Sequence, residues 1–567
     1  MYSHLLDKIG DWNPQLLREI KGRLKVRNIL LATSLSLLGQ FILFMSFQSQ
    51  LPTNLTAFQK SSNRYCTGSV DYDVPQCLSD GLDNVIINWQ LWSFDIFSLL
   101  SLLTCIVLLV AGTHLLINDL ATEQRRDTLN FIRLSPQTAQ SILWGKILGV
   151  PILFYFGILL ALPLHLWSGF NAQLSIIQIL SFYAVVMTAS VLYFSAALLF
   201  GLVGSWLGGF QVWLASGTLL SYFLFTESAI KRDFTGDSPA NIVGLFNPYF
   251  LIPYPEIDHN FLNNIPKFAD FHWYILQLKS NLGLTVGFAL LVYCVGIFFI
   301  WESLQRCFQI SDTTMLSKKQ SYLLTSCFTL ITLGTANWQK IVFQQQSYLS
   351  LMQGDTALLM ILNFGLFLYL IAAVTPGRQT LIDWARYRHV AHLKNSPRGS
   401  LIYDLIWGEK SPGILAIAIN AAIAITGISC FVLASNTNMN NKIDALFALA
   451  FGGILAVTYA ALTQLVLFMK TEQRILWAAG ILVAVIVLPN IIFLVLFSSP
   501  ANNSFVWLFS VLAPLVVLFY SGEHNSLVEP LLAILGHFAI LGFLILQLTR
   551  KLKKAGESAT KALLVGN

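Results

Sequence analysis

Charge is what this 567-residue chain has least of: only 11% of its positions are Asp, Glu, Lys or Arg, against about 25% in soluble globular proteins. A string of soluble domains is therefore excluded. No loop of the form G-x-x-x-x-G-K-[ST] occurs, so nothing in the chain cradles nucleotide phosphates. Polar stretches long enough for a catalytic domain are lacking too, as are CxxC pairs and Cys/His pairs with metal-ligand spacing, which argues against a metal centre. Of the seven cysteines, Cys105, Cys294, Cys327 and Cys430 fall in apolar runs and Cys307 beside one, where they read as small packing residues. Cys66 and Cys77, in the stretch CTGSVDYDVPQC, either close a short disulfide in an oxidising compartment or remain two free thiols.

What the chain has in abundance is apolar sequence, 55% of all positions. Runs of about 20 apolar residues, the length that crosses a bilayer, lie near 28–47, 91–117, 142–167, 175–206, 211–225 and 282–300. A second series lies near 322–333, 357–374, 414–433, 445–469, 475–497 and 531–548. The first run lacks a small-residue cleavage pattern after it and reads as a retained anchor. Most of the 34 Lys and Arg fall in the segments 1–27, 118–146, 303–320, 377–410, 470–474 and 550–567. Because positive segments stay cytoplasmic, this places both termini inside, as expected of a multi-pass protein of the plasma (inner) membrane. A further run at 505–520 would, if it crossed, put Arg550, Lys551, Lys553 and Lys554 outside. It is read instead as a re-entrant or interfacial segment, tolerated where protein buries it or water reaches it. The expected fold is an all-α polytopic membrane protein of about twelve transmembrane helices. No cationic patch of the kind that binds nucleic acid is present.

The spans divide into two pseudo-symmetric six-helix halves. Each has a long charged cytoplasmic segment after its second helix and an irregular apolar outer segment before its last. In the first half that outer segment is 227–280, containing the proline-broken FNPYFLIPYP; in the second it is 498–529. RDTL, opening toward Arg133, recurs as RQTL, opening toward Arg386, at the same place in each half. The expected domains are an amphipathic helix in 1–27, a first transmembrane domain 28–302, a linker 303–320, a divergent second transmembrane domain 321–549, and a basic tail 550–567. Tandem halves commonly flank a pathway.

The segment 119–146 reads DLATEQRRDTLNFIRLSPQTAQSILWGK. Leu129, Phe131, Ile132 and Leu134 form an apolar side opposed by Glu123, Arg125, Arg126, Asp127 and Arg133, predicting a short interfacial helix that ends before Pro136. Composition alone allows an ordinary amphipathic connector with its cations on lipid headgroups. At Glu123, Arg125, Arg126, Thr128, Leu129, Ser135, Pro136, Gly145 and Lys146 the segment resembles the coupling region of ABC-2 type transporter permeases. It departs at Asp127, where Gly is usual, and at Asn130, where Glu is usual. The stretch NPQLLREIKGRLKVR, with Leu16, Leu17, Ile20 and Leu24 on one side, resembles the amphipathic helix before the first crossing of that family.

The resemblance implies a permease without enzymatic activity of its own, moved by two copies of an ABC ATPase subunit docked on the cytoplasmic side. ATP and Mg would sit on those partners, and no cofactor in this chain. It implies coupling roles for Glu123, Arg125, Arg126, Thr128, Leu129, Arg133, Ser135 and Pro136, and for Arg378, Thr380, Leu381 and Arg386 in the second half, with membrane lipids as the other contact. Intramembrane ionisable groups are costly and usually functional, so Asp95 and His537 are read as pathway residues, as interhelical hydrogen-bonding groups, or as residues at the membrane interface. His114 and His165 are expected among headgroups, and Glu523, His524 and Glu529 in a solvated loop. Gly204 and Gly208 either pack helices closely or turn the chain into the fifth helix. Sparse intramembrane charge favours an amphipathic or lipid-linked cargo over a small ion, and the resemblance implies its export. Alternative readings are a polytopic membrane enzyme acting on lipids or glycans, which needs a cluster of titratable groups, and a secondary transporter or channel, which needs paired intramembrane carboxylates.

Overall fold

The computed structural model describes residues 8–52, 62–68, 70–71, 74–80, 84–231, 238–252, 272–278, 281–310, 313–344, 348–393, 401–497, 504–520 and 528–565. Pro253 and Pro255 of the broken outer stretch, and Glu523 and His524, lie outside the described residues. Ten helices among the described residues are long and apolar enough to cross a membrane, making this an all-α polytopic membrane protein. The chain divides into two compact units, with the main boundary between Trp301 and Glu302. Two pieces of the first outer segment, 237–242 and 272–277, belong to the second unit, so the expected 28–302 domain is not wholly one body.

In the first unit, α1 (Pro14–Arg23) precedes α2 (Val26–Ser49), and a disulfide-bearing loop leads to α3 (Trp89–Arg125). Asn13 starts α1 by accepting from the Leu16 amide at 2.9 Å, with Pro14 in the first turn where no amide hydrogen is needed. Asn88 caps α3 the same way through the Leu91 amide. After α3 come the one-and-a-half-turn helix α4 (Thr128–Arg133) and α5 (Ala139–Gly149), which bends at Pro151 into α6 (Ile152–Asn171). Then follow α7 (Ile176–Leu207), α8 (Phe210–Lys231), the short α9 (Asn241–Leu245), whose first two residues belong to the second unit, and α10 (Leu282–Gln309), which passes into the second unit at Glu302. Gly208, at φ +59°, makes the turn between α7 and α8, which favours the turn over close packing for the glycine pair. His165 is not among headgroups: it is buried on α6, within 2.8 Å of Ser101 Oγ and 2.6 Å of Tyr183 Oη, and stacked on Phe97. A polar side chain facing protein must find partners inside it, and two neighbouring helices supply them.

The second unit begins with α11 (Lys318–Gly334), opened by a capping box between Ser317 and Gln320, followed by α12 (Leu349–Val374). Its charged segment forms α13 (Arg378–Leu393) and α14 (Leu401–Trp407), before α15 (Ile414–Ala434), α16 (Met439–Leu467) and α17 (Arg474–Phe497). The run at 505–520 folds as two pieces, α18 (Ser504–Trp507) and α19 (Ala513–Tyr520), neither long enough to span. The last helix, α20 (Val528–Val565), runs without a break through most of the expected basic tail, and its Gly556 abuts the backbone of Ala385 on α13. Apolar packing centres on Met352, Phe367, Phe431, Phe451 and Tyr459, with a polar bridge from Thr325 and Ser321 on α11 to Asn420 on α15.

Candidate functional site

Three helices meet at the basic end of the first unit. On α3, Asp119 and Glu123 stand four residues apart on one face, a like-charged pair that repels unless a cation intervenes. The cation is Lys146 on α5, fully buried, with its Nζ 2.8 Å from Asp119 Oδ2 and 2.7 Å from Glu123 Oε2. From α1, Glu19 approaches the same ammonium at 3.9 Å. Arg23 holds Asp119 at 2.7 Å, and Arg18 holds Glu123 at 2.6 Å. Three carboxylates thus face three cations, and the ammonium of Lys146 lies among acidic oxygens that are within 4.8 Å of one another.

Such closeness depends on glycine. A Cβ on Gly145 would lie 2.9 Å from both Asn13 Oδ1 and Gln15 Cβ, and one on Gly149 only 2.5 Å from Glu19 Cβ. The buried side of α1 is therefore Gln15, Leu16 and Glu19; Leu17, Ile20 and Leu24, expected on that side with Leu16, are only half-buried. The reason is local: α1 meets α5 through Gln15, Leu16 and Glu19 set against the glycines of α5, and not through the whole row of leucines.

Beyond this node α3 continues to Arg125, further than its apolar run, and the chain then reverses through Asp127 in the left-handed conformation, φ +55°. That conformation favours glycine and tolerates Asp, which gives a physical meaning to a position where the resembled family carries Gly. Helix α4 follows, stopped by Ser135 Oγ donating to the Ile132 carbonyl and by exposed Pro136. Its apolar residues divide. Leu129 and Ile132 are buried, whereas Phe131 is 80% and Leu134 85% exposed, flanked by exposed Arg125, Arg126, Asp127 and Thr128. Glu123, by contrast, is engaged inside the chain, and Arg133 is half-buried and reaches Asn130.

The second charged segment is built differently. Arg378 opens α13, Thr380 donates to the Gly377 carbonyl, Leu381 is buried, and exposed Arg386 lies 3.9 Å from Asp383. RQTL therefore lies within one continuous helix, where RDTL straddles a reversal. Arg388 pairs with Asp404 on α14, and Arg306 grips Glu409 through two nitrogens. Buried Lys318 donates to Ser411 Oγ and to the carbonyls of Leu405 and Pro412. Sequence reading missed Leu401, Ile402 and Tyr403 on α14, all more than half exposed; their only signal was an apolar triplet inside a polar segment.

At the opposite end of α3, Asp95 accepts from Arg64 Nη2 at 2.9 Å and from Tyr65 Oη at 3.1 Å. Burial and the Asp95 carboxylate push the Tyr65 phenol well above its ordinary value, so it remains a donor at physiological pH. The loop bearing Arg64 and Tyr65 is closed by the Cys66–Cys77 disulfide. His537 is buried on α20, within 2.8 Å of the Leu508 carbonyl and stacked on Phe509, where it fixes the link between α18 and α19. Compared with known proteins, the chain matches no family model, no curated sequence and no solved structure.

Proposed function

We propose that this chain is the transmembrane permease subunit of an ATP-driven ABC transporter, moved by separate ATPase subunits. In this reading α8 and α11 are also crossings, giving twelve in two six-helix halves, with both termini on the cytoplasmic side of the plasma (inner) membrane. The supporting observation is α4. Two large apolar side chains project here, Phe131 from a six-residue helix and Leu134 from its C-cap, while Leu129 and Ile132 anchor the other side. Short helices with aromatic and aliphatic anchors suit a groove on a partner protein.

The node around Lys146 gives α4 a stiff base, since it joins the helices before and after it through charge-assisted contacts. A push on α4 is thereby transmitted to α1, α3 and α5 together. In the second half the exposed residues of α13 and α14, among them Tyr387, Leu401 and Ile402, offer the corresponding docking surface for a second ATPase. Cargo is an amphipathic or lipid-linked molecule, moved outward.

Purification of the tagged chain in mild detergent, with identification of what accompanies it, tests this. An ATPase carrying a phosphate-binding loop is expected in near-stoichiometric amount. Recovery of the chain with no nucleotide-hydrolysing partner, from membranes in which it is intact, would contradict the proposal.

A further inference from the structure

The ion pair at Asp95 lines one wall of a cavity of about 260 Å³ in the first unit. Its polar surface comprises Gln50, Arg64, Tyr65 and Asp95 with the hydroxyls of Ser98 and Tyr249, which lie 2.7 Å apart. Phe47, Leu99 and Leu102 supply an apolar flank. A volume near 260 Å³ is below the roughly 300 Å³ lower end of drug-sized sites. It has room for a lipid headgroup, while acyl chains must lie outside.

The level in the membrane agrees. Trp89, Trp92 and Trp167 cluster edge to face nearby, and Trp89 and Trp167 are about half exposed, as befits an aromatic belt at the headgroup layer. Asp95 follows Trp92 by three residues on α3, about 4.5 Å deeper at 1.5 Å per residue. That depth is the boundary between headgroups and hydrocarbon.

Charge selects the ligand. Among the described lining residues the charged groups are Arg64 and Asp95, which together are neutral, so this lining favours neither a net anion nor a net cation and presents a fixed dipole instead. A zwitterion lying antiparallel to that dipole satisfies both ends. The contact to Asp95 engages one of the five guanidinium N–H donors, so Arg64 retains the geometry to hold a phosphate oxygen. A primary ammonium, with three donors, suits the Asp95 carboxylate and the neighbouring hydroxyls better than a methylated one, which has none.

We propose that this cavity binds the headgroup of one phosphoethanolamine lipid, with its phosphate on Arg64, its ammonium toward Asp95, and its chains passing over Leu99 and Leu102. The site stands independently of the ATPase-driven reading, since it requires only that the first unit be folded in a bilayer.

Native mass spectrometry of the delipidated full chain, titrated with phosphatidylethanolamine, phosphatidylcholine or phosphatidylglycerol, tests it. One phosphatidylethanolamine is expected to survive activation that strips the others, and Arg64→Gln is expected to lower its retention at least fivefold. Ser98→Leu, which fills the cavity and leaves the ion pair in place, is expected to lower it similarly. Equal retention of the three lipids, or wild-type retention in both variants, would overturn the proposal. Displacement of the lipid by soluble phosphoethanolamine at equal concentration would also overturn it, assigning the site to a soluble zwitterion.

Discussion

Lys146→Met is expected to destabilise the first unit more than any other single change at the basic end. The substitution keeps the apolar length of the side chain and removes the ammonium at the centre of this cluster, so Glu19, Asp119 and Glu123 keep Arg18 and Arg23 as their cations among the described residues. Breaking a buried ion pair by deleting one partner costs about 3–5 kcal/mol, because the surviving charge loses its compensation without regaining water. In detergent this is expected to appear as a lowered midpoint in a heating series read by size-exclusion chromatography. Adding Glu123→Gln restores charge balance and should recover part of the loss, a coupling that only neighbouring groups show. A Lys146→Met protein that melts like wild type would mean that the node carries no load.

The second large effect belongs to α4 and is of the opposite kind. Replacing both Phe131 and Leu134 by aspartate changes side chains that are almost wholly exposed, so the folded chain is expected to melt within about 0.5 kcal/mol of wild type. Partner binding, however, is expected to fail, since buried aromatic and aliphatic anchors each contribute about 2 kcal/mol or more to an interface. The readout is the amount of ATPase retained per chain on affinity purification, with a decrease of at least tenfold expected. Unchanged retention would remove α4 from the interface.

The pairing of these two results separates support from contact. Lys146 and Glu123 are buried or half-buried and act through the position of α3, α5 and α1. Phe131 and Leu134 are 80% and 85% exposed, and their proposed role is contact with a partner.

Much of the helical framework was legible because a bilayer imposes one length and one polarity on its spans. The run at 505–520 was separated from true spans by where its crossing would have put Arg550 and Lys551, and it forms two short helices. Less was legible where a position depends on a distant partner. Lys146, at the head of an apolar run, had the pattern of a cation reaching for headgroups, and its burial depends on Glu19, Asp119 and Glu123 from two other helices. The signal that existed was the acidic i, i+4 pair on α3, which needs a cation between its members.

Helix α4 forms as a short helix ending before Pro136, as expected, but its single apolar side was misread for a related reason. In six residues Leu129 and Ile132 make one i, i+3 pair, and Phe131 and Leu134 another, so periodicity offered two apolar faces and no means of choosing the inner one. The choice is made by the left-handed turn at Asp127. His165 shows the same limit: its burial rests on Ser101 and Tyr183, whose proximity no local pattern announces.

The central claim is that α4 meets an ATPase in the membrane as it exists. A photo-activatable phenylalanine analogue placed at position 131 of the full chain, irradiated in intact membranes, tests it directly. A cross-linked product is expected that contains a protein with a nucleotide-binding loop and that vanishes when Leu134→Asp is added. Irradiation that yields only lipid adducts at position 131 would contradict it.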